Sequence, residues 1–315
     1  MKEYAFGIDL GGTTAKIGLF KTTGELLEKW EVPTDTSNAG EHILKNLAAA
    51  VQGKMQEKGL AAEQVEGVGV GVPGPVLDSR IVPIICANLG GWGKHNVAEE
   101  LGGMLGGIKV LVGNDANVAA LGEIWMGAAK GCRSAVMVTL GTGVGGGVIV
   151  NGKVIDGTHG AGGEIGHLTV DRHETAACGC GKHGCLEQYA SATGIVRVAN
   201  DILEESKEDS KMRHVEKLSA KNVLDFYKEG DALAVKTMEK VGDILGSTLA
   251  VFACVTDPEA IVIGGGVSKN GQIVLDVVQE KYEQDVMFAL KGKEFRLAEL
   301  GNDAGMYGAV RMVLS

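Results

Sequence analysis

Two short segments have the residue types to hold phosphate, and a third has those to hold a metal ion. Asp9-Leu10-Gly11-Gly12-Thr13-Thr14 sets two glycines, which let backbone approach an anion closely, beside two hydroxyls and a carboxylate able to hold a hydrated metal ion. The same residues could form an ordinary hairpin turn, where Gly and Asp are common. The second segment, Leu140-Gly141-Thr142-Gly143-Val144-Gly145-Gly146-Gly147, contains a literal GxGxxG, as does Gly69 to Gly74. Neither supports a dinucleotide-binding domain, because that fingerprint must link a strand to a helix. One match lies between two expected strands and the other runs into Pro73. No Walker A sequence occurs, which argues against a P-loop fold.

Cys178-Gly-Cys180-Gly-Lys-His183-Gly-Cys185 packs three thiols among glycines. Thiolates select zinc, and glycines let a short loop wrap a tetrahedral ion. Buried free cysteines or a redox pair are the alternatives. Clustering disfavours the first and a reducing compartment the second. Spacing leaves the fourth ligand open between His183 and His167, the latter in Glu164-Ile-Gly-His167.

Asn88, Asn114, Asp115, Glu164, His167 and Glu187 are carboxylates, amides and an imidazole at expected strand ends and loops. Such groups pair with vicinal sugar hydroxyls. Asp115 follows the strand Val110-Leu-Val112 and precedes a helix, so it reads either as a general base at a sheet's end or as a plain helix N-cap.

Elements must position these residues. Tyr4 to Asp9, Ala15 to Phe20 and Glu25 to Glu31 read as consecutive strands, and Glu41 to Lys58 as a helix with apolar residues at helical spacing. Val65 to Val72 and Ile108 to Val112 read as strands, the second followed by a helix through Glu123. Ala135 to Leu140 and Gly147 to Val150 form an expected hairpin around Gly141-Thr142-Gly143. Beyond Cys185 the pattern turns mainly helical, with Ala232 to Val255 the longest candidate. Ala260 to Ile263 is a short strand ending in Gly264-Gly265-Gly266, and Ala304 to Val313 a closing helix. Each half thus opens with strand, glycine turn and strand, then adds helices. Two α/β halves of this kind imply a cleft. Glu204 to His214 reads as a solvated surface stretch.

The bulk properties agree. The chain has 315 residues, a length that suits two domains. Its 49 glycines are about twice the usual share and cluster beside apolar runs, as tight turns and close backbone approaches would require. The net charge is −10 with no dense Lys/Arg block, which argues against nucleic acid as a partner. No secretory leader, membrane span or disulfide scaffold is expected, so the cytoplasm is the expected compartment.

The paired Gly-Thr hairpins resemble the two phosphate loops of the actin, Hsp70 and hexokinase fold, and Gly264-Gly265-Gly266 looks like that fold's adenosine segment. Gly160-Ala-Gly-Gly-Glu-Ile-Gly-His167, then CGCGKHGC, then Leu186-Glu187, is similar to the signature of the ROK family of repressors, open reading frames and kinases. Asp9 to Thr14, Gly71-Val-Pro-Gly-Pro75, Asn88 before a Gly-Trp pair, Asn114-Asp115 and Gly264 to Ser268 extend the match in order, closest to bacterial ROK glucokinases. The resemblance implies an actin-like ATPase (ribonuclease H-like) α/β fold with two domains flanking a cleft. One would be residues 1–118 plus the closing helix at 304–315, the other residues 119–303.

It also implies roles. Asp9, Gly11, Gly12, Thr13 and Thr14 would bind ATP with Gly141, Thr142, Gly143, Gly264, Gly265 and Gly266. Structural zinc would sit on His167, Cys178, Cys180 and Cys185, with His183 a bystander. Asn88, Asn114, Asp115, Glu164, His167 and Glu187 would contact a hexose, glucose by family likeness, and Asp115 would be the base. Mg²⁺ would accompany ATP, with polyphosphate an alternative donor, and a homodimer is implied. A different hexose is the nearest alternative. A sugar-sensing repressor is the other; it would need a DNA-binding domain before Tyr4, which is not expected here.

Overall fold

The computed structural model describes residues 2–315. Among these described residues twelve strands and ten α-helices follow in chain order: β1 (Tyr4–Leu10), β2 (Thr14–Lys21), β3 (Leu26–Pro33), α1 (Ile43–Lys58), β4 (Val65–Val72), β5 (Ile81–Cys86), β6 (Trp92–Asn96), α2 (Val97–Met104), β7 (Val110–Asn114) and α3 (Asp115–Met126). Then come β8 (Ala135–Leu140), β9 (Val144–Val150), β10 (Lys153–Val154), α4 (Glu187–Ala190), α5 (Ala192–Glu205), α6 (Ala220–Lys228) and α7 (Ala232–Thr256). The last are β11 (Ala260–Gly264), α8 (Gly265–Ser268), α9 (Gln272–Asp285), β12 (Glu294–Leu297) and α10 (Ala304–Val313).

Two five-stranded sheets share one plan. The orders are β3-β2-β1-β4-β7 and β10-β9-β8-β11-β12, so each reads 3-2-1-4-5 in its own strands. The first three strands of each are antiparallel, and the other two run parallel to the first. Every parallel strand therefore ends toward the same edge of its sheet. Ligands bind in the crevice outside the carboxyl ends of such strands. Asp9, Val72 and Asn114 lie at that edge of the first sheet, and Leu140, Gly264 and Leu297 at that edge of the second.

The alternation Val-Glu-Gly-Val-Gly-Val-Gly-Val in β4 has a packing cause. Val65, Val68, Val70 and Val72 are buried in a core with α1 and α2. The opposite face must admit α10 at backbone contact. A Cβ at Gly69 would lie 1.8 Å from the Ala309 carbonyl oxygen, and one at Gly7 2.1 Å from that of Met306. Glycine is the residue that lets a helix lie this close. The second sheet repeats the device: α3 lies on the glycine face of β9, where a Cβ at Gly147 would meet Ala120 at 2.5 Å. Its other face is covered by α5, α6, α7 and α9 around Leu245, Leu249, Ile261 and Ile263. Between the sheets α3 and α10 cross, with a Cβ at Gly308 only 1.6 Å from the Val118 carbonyl oxygen.

Several boundaries differ from expectation. β9 begins at Val144, so Gly145, Gly146 and Gly147 are strand residues and the turn is confined to Gly141–Gly143. The β5–β6 hairpin and α2 were not foreseen, because Pro83 and the glycines at 90 and 91 break the local pattern. Glu204 to His214 divides into the end of α5 and a 3₁₀ turn, and Ser210 and Met212 within it are buried. No helix among the described residues is long and apolar enough to cross a membrane.

Candidate active site

A cavity of about 1250 Å³ opens at the two carboxyl edges. Asp9, Asn88, Asn114, Asp115, Glu164, His167 and Glu187 line it, with Gly141, Thr142, Gly143, Gly265 and Gly266. Residues expected from distant parts of the sequence thus meet in one space. Gly11, Gly12, Thr13, Thr14 and Gly264 do not line it. The first glycine turn lies behind Asn88: a Cβ at Gly12 would lie 2.6 Å from the Asn88 carbonyl oxygen. That turn is stitched down by Thr34, whose hydroxyl donates to the Gly11 carbonyl at 2.7 Å and whose N–H donates to the Thr13 carbonyl at 2.9 Å.

Asn114, not Asp115, caps α3. Its Oδ1 accepts the N–H groups of Ala116 and Asn117 at 3.0 and 3.1 Å, and its amide donates to the Gly74 carbonyl at 3.1 Å. This division leaves Asp115 as the first residue of the helix, with its carboxylate directed into the cavity. Solvent reaches Asp115, but protein crowds it on the remaining sides. Burial pushes it up to about 6; the Ala116 N–H opposes the shift, and the charges of Asp9 and Glu164 add to it. Burial also raises Asp9, against the pull of Lys16, whose Nζ lies 3.7 Å away.

Asn117 holds the loop that carries Glu164. It is 1% exposed, and its amide donates to Asp156 at 3.1 Å and to the Gly162 carbonyl at 3.3 Å. The second glycine turn is braced by Glu187. Glu187 Oε2 accepts the Val144 N–H at 3.1 Å and occupies the space a Gly143 side chain would need, since a Cβ there would lie 2.1 Å from it. The start of α5 secures the same turn from beneath, with Ala192 N–H on the Gly141 carbonyl at 2.8 Å and the Thr193 hydroxyl on that of Thr142 at 2.9 Å. Gly265, at φ +86°, rests against Leu140: a Cβ there would lie 2.5 Å from the Leu140 carbonyl oxygen. The turns after β8 and β11 are therefore neighbours.

His167, Cys178, Cys180 and Cys185 each offer a ligand atom, all within 4.8 Å of one another, and His183 is outside the group. A tetrahedral ion with Zn–S of about 2.3 Å sets its sulfurs about 3.8 Å apart. Cys180 and Cys185 Sγ are 3.7 Å apart, and Cys178 Sγ is 3.8 Å from His167 Nδ1. The donor set and its spacing fit zinc. Burial, then the neighbouring thiols, push Cys185 up to about 12, so a cation would have to draw its proton off. The cluster also touches Glu187, to which the Cys178 thiol is 3.7 Å away.

Sequence reasoning missed three contributors. Lys16 faces Asp9 across the first hairpin and lines the cavity, and a lysine within the otherwise apolar run Ala15 to Phe20 was the available signal. Asn302 and Gly305 reach the site from the start of α10, where a Cβ at Gly305 would lie 2.8 Å from the Asp9 carboxyl carbon. Nothing local marks them.

Comparison with known proteins places the chain. Residues 5–315 match the ROK family. A protein named glucokinase from Halalkalibacterium halodurans is 40% identical over 307 residues, covering 96% of this chain and 92% of its own. A protein named N-acetylgalactosamine kinase from Shewanella is 31% identical, covering 96% and 94%. The crystal structure of a ROK family glucokinase from Streptomyces griseus, in complex with glucose and AMPPNP, is 32% identical and superposes with a TM-score of 0.75 over 98% of both chains. The two like-ordered sheets with the cavity at their shared edge are those of the actin-like, ribonuclease H-like α/β fold, and the chain belongs to the ROK family.

Proposed function

We propose that this chain is an ATP-dependent sugar kinase that phosphorylates glucose at its 6-hydroxyl, with Asp115 as general base. The observation that carries the reading is Asp115 itself: a carboxylate released from capping by Asn114, raised to about 6, in a cavity it shares with the second glycine turn and a ring of sugar-pairing groups. A base poised just below neutral pH is ionised in use yet basic enough to take a hydroxyl proton.

Asn88, Asn114, Glu164, His167 and Glu187 would hold the hexose, so that its 6-hydroxyl lies at Asp115. Attack of that oxygen on the γ-phosphorus forms one O–P bond as the bond to the β-phosphate oxygen breaks. The proton passes to Asp115, and ADP leaves. The turn at Gly141–Gly143 would present N–H groups and the Thr142 hydroxyl to the phosphates, with Gly265 and Gly266, which follow Gly264, beside the adenosine; the turn at Gly11–Thr14, set behind Asn88, would join it only as the cleft closes. Mg²⁺ bound with the nucleotide near Asp9 would offset phosphate charge. Zinc on His167, Cys178, Cys180 and Cys185 would be structural, with no open position, and would brace Glu187 against the second turn. We take residues 1–118 with 304–315 as one domain and 119–303 as the other, in a homodimer that sedimentation would test.

A coupled ADP-release assay with Mg-ATP across glucose, mannose, fructose, allose and N-acetylhexosamines tests the reading. A kcat/KM for glucose well above the others supports it. Preference for an N-acetylhexosamine, which the Shewanella relative's name makes the second reading, would change the substrate and keep the chemistry. No turnover with any sugar would overturn it.

A further inference from the structure

Two connections carry the chain between the sheets, and one buried side chain holds both. The outgoing one runs through α3 into residues 127–134, and the return runs from β12 through residues 298–303 into α10. Glu123, in the last turn of α3, is 1% exposed. Its Oε2 accepts the Ala128 N–H at 2.7 Å and the Glu299 N–H at 3.1 Å, and its Oε1 accepts the Leu300 N–H at 2.9 Å. Gly127 makes room for it, since a Cβ there would lie 2.1 Å from Oε2. Arg296 on β12 grips the same outgoing connection, donating to the Ala128 carbonyl at 2.7 Å.

A carboxylate is the side chain that suits three converging N–H donors, because it accepts at both oxygens and donates at neither. An apolar residue of similar size would leave three N–H groups unpaired. The junction also lies beside the crossing of α3 and α10 between the two sheets. Just upstream α3 meets α10 at backbone contact, with a Cβ at Gly122 falling 2.3 Å from the Ala304 carbonyl oxygen.

The return connection is also a wall of the cavity. Leu297, Ala298, Gly301 and Asn302 line it. The Ala298 N–H donates to the Ile263 carbonyl at 2.9 Å, which lays this wall beside Gly264 and Gly265. Asn88, Glu164 and His167, the proposed hexose groups, stand on other segments.

We infer that Glu123 is a positioning residue that pins the return connection to α3 and thereby sets the nucleotide side of the cleft. The inference rests on the kinase reading above for which side is which. Removing the pin frees Glu299 and Leu300, lets the Gly301–Asn302 wall drift, and leaves the hexose groups in place.

The test compares wild type with Glu123→Gln and Glu123→Ala. Gln keeps the shape and one acceptor oxygen but points an amide at an N–H, so it carries the test if the Ala variant does not fold. Each folded protein is assayed with Mg-ATP varied at saturating hexose and with hexose varied at saturating Mg-ATP. Amide exchange at Ala128, Glu299 and Leu300, and the unfolding temperature, are measured alongside. In Glu123→Gln the KM for ATP is expected to rise about tenfold, the worth of one or two hydrogen bonds to a charged group, with the KM for hexose within about twofold. Exchange at Glu299 and Leu300 is expected to quicken. A lower unfolding temperature with both KM values unchanged, or both raised alike, would overturn the inference and leave Glu123 a stability element. If wild type turns over no hexose the kinase reading fails, and the pin is judged on AMPPNP affinity by calorimetry. An affinity equal in wild type and Glu123→Gln, or absent from both, overturns the pin as well.

Discussion

The general base can be tested by proton titration because its environment gives it an unusual midpoint. An ordinary Asp, near 3.8, would be almost fully ionised at pH 5, whereas Asp115 is pushed to about 6. The base works only when ionised, so activity falls as pH drops through that midpoint. With a midpoint about one unit higher, roughly a tenth of Asp115 is ionised at pH 5, and kcat/KM there should be about tenfold below its plateau near pH 8. The assay is ADP release at low hexose over pH 5 to 8.5, with stability checked at each pH. Asp115→Asn should fall on the order of 10²–10⁴-fold at the plateau and lose the acid limb. Glu164→Gln should move the limb to lower pH, because its negative charge helps to raise Asp115. A wild-type limb near pH 4, or an Asn variant with near-normal turnover, would refute the assignment.

Two further outcomes follow from the same geometry. Elemental analysis should find one zinc per chain, and Cys180→Ser should lose it together with most hexose affinity, because the cluster reaches Glu187 through Cys178; metal-free wild-type protein of full affinity would refute this. Gly308→Ala should cost about 3 kcal/mol or more in urea unfolding, since its Cβ would sit 1.6 Å from the Val118 carbonyl oxygen and backbone cannot yield like a side chain; unchanged stability would mean that α3 and α10 can part freely.

Local pattern was enough to place Val65–Val72, Ala135–Leu140 and Ala304–Val313, whose observed bounds are those expected. In each, apolar periodicity and glycine punctuation agree. The pattern faltered at Ile81–Cys86 and Trp92–Asn96, where Pro83 and paired glycines interrupt a hairpin held by pairing across the interruption. Likewise the sequence left Asp115 suspended between base and cap, and the cap proved to be Asn114, one residue earlier. That distinction depends on which side chain turns back over the helix end, and residue type does not decide it.

By itself the sequence determined the chemistry available: two glycine-threonine turns, a thiol cluster at metal-binding spacing, and carboxylates and amides at strand ends. These are carried by residue types and short spacings, which survive without knowledge of partners. Only the tertiary structure decided which groups share a space and what holds them there. Lys16 matters because β2 lies against Asp9, Glu187 because a glycine turn leaves room for it, and Glu123 because N–H groups 176 and 177 positions further along the chain converge on its carboxylate. Those roles are set by non-local hydrogen bonds and close backbone approaches, and neither leaves a periodic trace in the residues that make it.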